Sequence, residues 1–402
     1  MLKLSVNAQI PLIAVFTRDV MNMHDVVHEI TGQLPMTYQA QIKIEPNQIY
    51  TYVCNPKIEL PLIELYSQFV KAESSLILVN PKEIKEPMYN AGEVPVPRSL
   101  VKKFIKVVVE NDKKADELMR GLGGCTIKEA AELVRLTMAR DASLTVDGLM
   151  ETRRSGFQGA NGLTPVDTKQ DFYNPPSPLV HWTAKERSYF LTGTDPRLIP
   201  RGLLFDGPPG TGKTSGAKWL AAQLGVPLYR LDIGGTKSKW VGESEGRLIQ
   251  NLSRIDNEEP AVVLLDEVEK VFSTGTNDGG TTSAMLSQLL WWLAERRSRI
   301  LVVMTTNNAK SLPKELYREG RVDEVFWMTG LGKPDALNFI TGLMKTFKEI
   351  KVVNESDVQA ALKRARSIEG TQPEIWAQSA LTKAVYEQVK FMKKVSPQGV
   401  KI

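Results

Sequence analysis

Residues 207–214 read G-P-P-G-T-G-K-T, and the chemistry that suits such a run is a grip on a polyphosphate. Glycines at 207, 210 and 212 let backbone N–H groups turn inward onto phosphate oxygens without a side-chain clash. Pro208, Pro209 and Thr211 complete the loop, and Ser215 follows in the first turn behind it. Lys213 can reach the β- and γ-phosphates, and Thr214 can place its hydroxyl on Mg²⁺. Further along, 261–267 reads A-V-V-L-L-D-E, five apolar residues ending in two adjacent carboxylates. Such a pair is costly unless a cation stands nearby. Asp266 can hold Mg²⁺ through its water shell, and Glu267 can orient and deprotonate an attacking water. A third apolar run, 300–304, ends in T-T-N-N. The neutral amide of Asn307 there can hydrogen-bond both a γ-phosphate and the lytic water. These residues imply a site for ATP and Mg²⁺.

The elements that must position them are legible in the patterning. Gly202-Leu203-Leu204-Phe205 reads as a buried strand, and 215–224 reads as a helix. Strand, loop and helix in that order are the context a phosphate loop requires, and the helix adds its positive N-terminal end. The 261–265 run suits a strand buried on both faces. Ahead of this core, 10–17 and 75–80 read as buried strands, and 99–109 and 114–120 as helices. Residues 126–139 form a helix opened by Thr126 with Glu129 three residues on, a capping box. Residues 1–150 are thus an α/β unit followed by small helices, with no phosphate loop. Residues 151–178, rich in Gly, Asn, Ser and Pro, read as a linker. The catalytic core runs over 179–330. Three helices, Asp335–Phe347, Asp357–Ser367 and Gln372–Met392, make 331–402 a small helical lid with a basic tail.

Bulk properties narrow the class. The 402 residues are 42% hydrophobic and 24% charged, ordinary values for a globular protein of two or three domains. No apolar run approaches the ~20 residues that span a bilayer, and the first residues lack the apolar core of a secretory signal. Only Cys54 and Cys125 are present, so a disulfide framework is not expected and a cytoplasmic setting is. The net charge of +5 gathers in the last segment, at Lys363, Arg364, Arg366, Lys390, Lys393, Lys394 and Lys401. That surplus reads as a solvated helix face rather than a nucleic-acid contact. His24 and His28 have an i, i+4 spacing, but Asp25 stands where a zinc protease needs the longer Glu, and His181 is the third and last histidine. Metal binding there, and a fused metalloprotease, are not expected. Trp291, Trp292, Phe326 and Trp327 read as packing residues rather than base-stacking platforms.

The segment 306–323, T-N-N-A-K-S-L-P-K-E-L-Y-R-E-G-R-V-D, resembles the second region of homology of the AAA family. Residues 238–245, S-K-W-V-G-E-S-E, are similar to that family's central-pore loop and the box behind it. The resemblance implies an α/β fold: a P-loop AAA+ core with a parallel five-stranded sheet and a small helical lid. It makes Lys213 and Thr214 the Walker A pair, Asp266 and Glu267 the Walker B pair, and Asn307 the sensor. Arg318 and Arg321 match the arginines that enter a neighbouring subunit's site. Lys239, Trp240 and Val241 match the pore loop, with Trp240 as its aromatic. Tyr317, Glu319 and Val322 depart from the family pattern without removing a charge the mechanism needs. A closer likeness over 280–328 is to the AAA family found in cyanobacteria, algal plastids, other bacteria and some phages. Its members carry a degenerate AAA-like half ahead of one active module, which implies the same for residues 1–150.

The resemblance further implies a homo-oligomeric ring, a hexamer, since an arginine finger acts only on a neighbour's γ-phosphate. It implies mechanical work on a protein client, with no membrane partner. The rival is a DNA-linked AAA+ ATPase of the initiator or helicase-loader type. Those place an arginine on the lid's third helix, whereas 370–375 here, G-T-Q-P-E-I, resembles the lid of protein-remodelling relatives.

Overall fold

The computed structural model describes residues 1–156, 163–193, 195, 197–233, 243–256, 258–272, 281–296, 298–318, 320–348, 350, 352–369 and 375–395. The chain divides into two compact units, Met1–Arg153 and Arg154–Ile402. Among the described residues no helix is long and apolar enough to cross a membrane.

In the first unit the elements run α1 (Leu2–Asn7), β1 (Leu12–Phe16), α2 (Met23–Thr31), β2 (Met36–Thr37), β3 (Ile49–Val53), α3 (Leu62–Lys71), β4 (Ser75–Val79) and β5 (Tyr89–Glu93). Four helices follow: α4 (Arg98–Val108), α5 (Asp112–Leu118), α6 (Ile127–Asp141) and α7 (Val146–Gly156). The strands form one sheet in the order β5-β1-β4-β3-β2, every pair parallel. Alternate residues of its central strands serve opposite faces. Ile13, Val15, Ile77 and Val79 pack with Val26 and Val27 of α2, while Leu12, Leu76 and Leu78 pack with Leu65 and Phe69 of α3. Burial on both faces is why these strands read as unbroken apolar runs. The α4–α7 group has a core of its own around Ile105, Leu118, Val134 and Leu149. Thr126 and Glu129 form the reciprocal capping box at the start of α6.

The second unit contains β6 (Leu163–Val166), α8 (Ser177–Thr192), β7 (Gly202–Asp206), α9 (Lys213–Leu224), β8 (Leu228–Leu231), α10 (Glu243–Asp256), β9 (Ala261–Leu265), α11 (Glu269–Phe272), α12 (Thr281–Glu295), β10 (Ile300–Thr306) and β11 (Glu324–Trp327). The sheet order is β11-β7-β10-β9-β8-β6. The first five are parallel, as expected, and β6 joins antiparallel to β8. Numbered within each unit, the parallel strands stand in the same order in both sheets: fifth, first, fourth, third, second. Leu204, Val263, Leu265, Val302 and Met304 face α10 and α12, and Leu203, Phe205, Val262, Leu264 and Val303 face α8 and α9.

Three expectations are corrected. The stretch 151–178 is not a bare linker. It begins inside α7, contributes β6, and ends in the first turn of α8. Leu163 drives this by being fully buried, and Pro165 is tolerated because β6 is an edge strand. The lid comprises α13 (Lys333–Lys345), α14 (Glu355–Glu369) and α15 (Gln378–Val395), so its third helix starts at Gln378 rather than Gln372. Ile375 and Trp376 are extended instead, β13 pairing antiparallel with β12 (Leu331–Gly332), which buries Trp376 in the lid core. Third, two of the four aromatics expected to pack are exposed. Trp292 and Phe326 are buried, but Trp291 is 65% and Trp327 62% exposed. Neighbours on a helix or a strand point to different sides, so an adjacent pair splits. In the lid, Arg364 and Arg366 lie over the rings of Phe391 and Trp376, so part of the basic surplus serves lid packing.

Candidate functional site

Strand register assembles the site. β7 and β10 end together with Asp206 opposite Thr306, and β9 ends with Leu265 opposite Met304. The next residues along, Gly207, Asp266 and Asn307, therefore emerge on one edge of the sheet. That edge holds the carboxyl ends of parallel strands, where open α/β sheets bind ligands.

The loop behind β7 has the backbone its sequence demands. Gly210 and Gly212 adopt φ of +78° and +90°, a left-handed region costly for side-chain-bearing residues. A Cβ on Gly210 would also lie 2.3 Å from Ser379 Oγ. Pro208 and Pro209 are exposed, and the Thr211 hydroxyl donates to the Pro208 carbonyl at 2.9 Å. The carbonyl of Ser215 accepts from Gln170 Nε2 at 3.0 Å.

Five side chains converge on this edge. Lys213 Nζ donates to the carbonyls of Gly207 and Pro208, at 2.6 and 2.9 Å, and to Asn307 Oδ1 at 2.8 Å. Burial pulls the Lys213 ammonium below the usual lysine range, against the opposite pull of carboxylates, Glu269 foremost and then Asp206, Asp266 and Glu267. Thr214 Oγ1 is 3.2 and 3.4 Å from the two oxygens of Asp266. Glu267 sits at φ +54°, and its Oε2 accepts from Lys270 Nζ at 2.5 Å. That contact raises the Lys270 pKa.

Arg318 and Arg321 lie on the turn after the short 3-10 helix Lys314–Tyr317. Arg318 is exposed, and Arg321 Nη1 donates to the Glu315 carbonyl at 2.5 Å. Among the described residues, no hydrogen bond ties either arginine to the five converging side chains. Lys239, Trp240 and Val241 lie outside the described residues, as do 370–374.

The match to known proteins follows the same residues. Positions 203–329 match the family described as the ATPase family associated with various cellular activities (AAA). Residues 203–329 are an AAA-family ATPase domain. The chain is 42% identical over 291 residues to a Guillardia theta protein named as the uncharacterized AAA domain-containing protein ycf46, covering 66% of this chain and 56% of that one. It is 26% identical over 302 residues to the 26S proteasome subunit RPT4 of Saccharomyces cerevisiae, covering 72% of this chain and 64% of that one. It is 28% identical over 210 residues to the ATP-dependent zinc metalloprotease FtsH of Aster yellows witches'-broom phytoplasma, covering 51% of this chain and 30% of that one. The chain spans just over half the length of the Guillardia theta protein and 31% of a ycf46 protein from Trieres chinensis.

Three residues at the ATPase-domain site escaped sequence reasoning. Thr305, fully buried, donates to Asp266 Oδ1 at 2.6 Å and accepts from the Glu267 backbone N–H at 2.9 Å. Glu269 accepts from Asn307. Tyr173, from the stretch read as linker, packs within 2.9 Å of where a Cβ on Gly212 would stand. Its buried hydroxyl has no hydrogen-bond partner among the described residues. The T-T-N-N terminus marked Thr305's neighbourhood, but only the β9–β10 register reveals its two bonds.

Proposed function

We propose that the second unit hydrolyses ATP with Mg²⁺ at the carboxyl edge of its sheet. The observation that carries this reading is the convergence of Lys213, Thr214, Asp266, Glu267 and Asn307 there. The glycine cradle and the 3.2 Å approach of a hydroxyl to a carboxylate suit a phosphate chain and a hard cation. Thr214 and Asp266 would hold Mg²⁺, which would offset the negative charge of the phosphates when bound. Residues 207–215 would grip the phosphates through backbone N–H groups and Lys213. Glu267 takes the proton from the attacking water. Asn307 donates to the γ-phosphate or that water. Phosphate release measured with and without Mg²⁺ tests the reading. Metal-dependent release that Glu267→Gln abolishes supports it, and release untouched by that change refutes it.

The unit works as part of a homo-oligomeric ring, a hexamer, in which Arg318 and Arg321 complete a neighbour's site. Their placement on a surface turn, Arg318 exposed and Arg321 half-buried, with no hydrogen bond to the five site residues of their own chain among the described residues, supports this. The ring remodels or threads a protein client gripped by Lys239, Trp240 and Val241. Support comes from the relatives: one is named as a proteasome subunit and another as an ATP-dependent protease. Capture of substrates on a Glu267→Gln chain is the direct test.

Residues 1–150 are a degenerate copy of the ATPase module. The shared strand order supports this reading, as does the fate of the matching loop. After β1 the chain reads T-R-D-V-M-N, without glycine. Asn80, which follows the fourth strand as Asn307 does in the second unit, clamps both backbone groups of Thr17 at 2.8 and 2.9 Å. Asp19 accepts from the Ile127 N–H at the start of α6 and from Asn22. The groups that would meet phosphates are occupied by the protein's own side chains.

A further inference from the structure

Asn307 carries the amide on which the proposed hydrolysis depends, and an amide can face either way round. Two neighbours decide the matter. Lys213 Nζ is a donor only, so at 2.8 Å it must face Oδ1. Glu269 Oε1 stands 2.8 Å from the other arm, and a carboxylate accepts, so that arm must be Nδ2. The same Oε1 also accepts from the Asn307 backbone N–H at 3.1 Å. Glu269 thus holds the residue by main chain and side chain together.

Glu269 opens α11, three residues beyond Asp266 and two beyond Glu267. The segment that carries the carboxylate pair therefore turns back to set the residue at the end of the adjacent strand. Nδ2 has two hydrogens, and Glu269 takes one of them. The direction of the second follows from the first because the amide is planar.

We propose that Glu269 is a positioning residue for ATP hydrolysis: it fixes the orientation of the Asn307 amide and so aims the donor that Asn307 presents to the γ-phosphate or the lytic water. This rests on the reading of Asn307 given above. Glu269 acts through Asn307. Its acceptor oxygen is what matters, so a glutamine, whose Oε1 can accept the same two bonds, keeps the function.

Steady-state ATPase kinetics on the full-length chain test this. Glu269→Ala lowers kcat by roughly 10–100-fold, the scale of a catalytic group displaced by about an ångström, with KM for ATP changed less than about threefold. Glu269→Gln restores kcat to within about threefold of the parent. In an Asn307→Ala background, Glu269→Ala costs nothing further in kcat, because the group it aims is gone. Glu269→Met fills the same volume without an acceptor, and it serves if the alanine chain unfolds. Additive losses in the double variant, or unchanged kcat in both Glu269→Ala and Glu269→Met, overturn the proposal. So does a glutamine variant as impaired as the alanine one. Near-parental kcat in Asn307→Ala alone would instead sink the underlying reading of Asn307.

Discussion

Thr305→Val removes one oxygen from the interior of the second unit and should injure both its stability and its chemistry. Valine matches threonine in shape but not in polarity. Thr305 is fully buried, so the swap opens no cavity, and whatever is lost belongs to the hydroxyl. Two bonds go: the donation to Asp266 Oδ1 at 2.6 Å and the acceptance from Glu267 N–H at 2.9 Å. A hydrogen bond to a charged group contributes about 1.5–3 kcal/mol, and a stranded buried N–H costs about 1–3 kcal/mol. Asp266 and Glu267 are only half-buried, so water recovers part of both, and the sum falls to about 2–3 kcal/mol. All seven tryptophans lie between 182 and 376, so tryptophan emission during urea unfolding reports the second unit alone. Activity should fall as well. The N–H bond helps hold Glu267 at φ +54°, a conformation that persists only when surroundings enforce it. Loosening it mis-aims the base, for a loss in kcat of up to ~10²-fold. Thr305→Ser, which keeps the hydroxyl, should recover most of both. A valine variant destabilised by less than about 0.5 kcal/mol, the range of an ordinary surface change, would refute the energetic argument. A kcat within twofold of the parent would refute the claim that Thr305 aims Glu267.

Lys213→Ala should lose tight binding of a fluorescent ATP analogue, whereas Glu267→Gln should bind it normally while phosphate release drops by roughly 10²–10⁴. Arg318→Ala and Arg321→Ala should each be inactive alone. Mixed in equal amounts with Lys213→Ala, either should recover activity at about a quarter of the interfaces of a randomly assembled closed ring. No recovery at any ratio would count against action across subunits. Asp19→Ala should destabilise the first unit by about 2 kcal/mol, through loss of a buried charge-assisted bond at a helix start, and leave nucleotide affinity unchanged. Tyrosine emission and ligand titration would show whether the two effects separate that way.

What could be read from the chain alone follows from which constraints are local. Residues 207–214 must turn tightly, and glycine alone adopts the φ values of +78° and +90° found there without a steric cost, so the requirement is written in residue types. The strand 261–265 is buried on both faces and announces itself as an unbroken apolar run. The capping box at Thr126 and Glu129 is complete within four residues. Each signal fits inside a short window. Thr305 and Glu269 do not. A threonine at a strand end and a glutamate in a short helix are unremarkable until β9 and β10 lie side by side. Then Thr305 falls beside Asp266, and Glu269 falls within reach of Asn307. Pairing between strands 35 residues apart in the chain leaves no periodic trace in either.

The two units share a strand order and differ at the loops that leave it. Their parallel strands stand in one order, and that order is a property of how the chain crosses over the sheet, not of any residue at a given place. It does not depend on any phosphate-binding residue. In the first unit β1 and β4 are apolar on both faces, as a core on each side of the sheet requires. The loop after β1, T-R-D-V-M-N, contains no glycine. Asn80 and Asp19 satisfy the main-chain groups at that edge instead. A fold can therefore keep its architecture under selection for burial alone, while the crevice at its strand ends closes by hydrogen bonds that cost no core contact. On this argument, reopening that crevice by replacing Asn80 and Asp19 should weaken the first unit and create no nucleotide site, because the turning glycines and the lysine are absent.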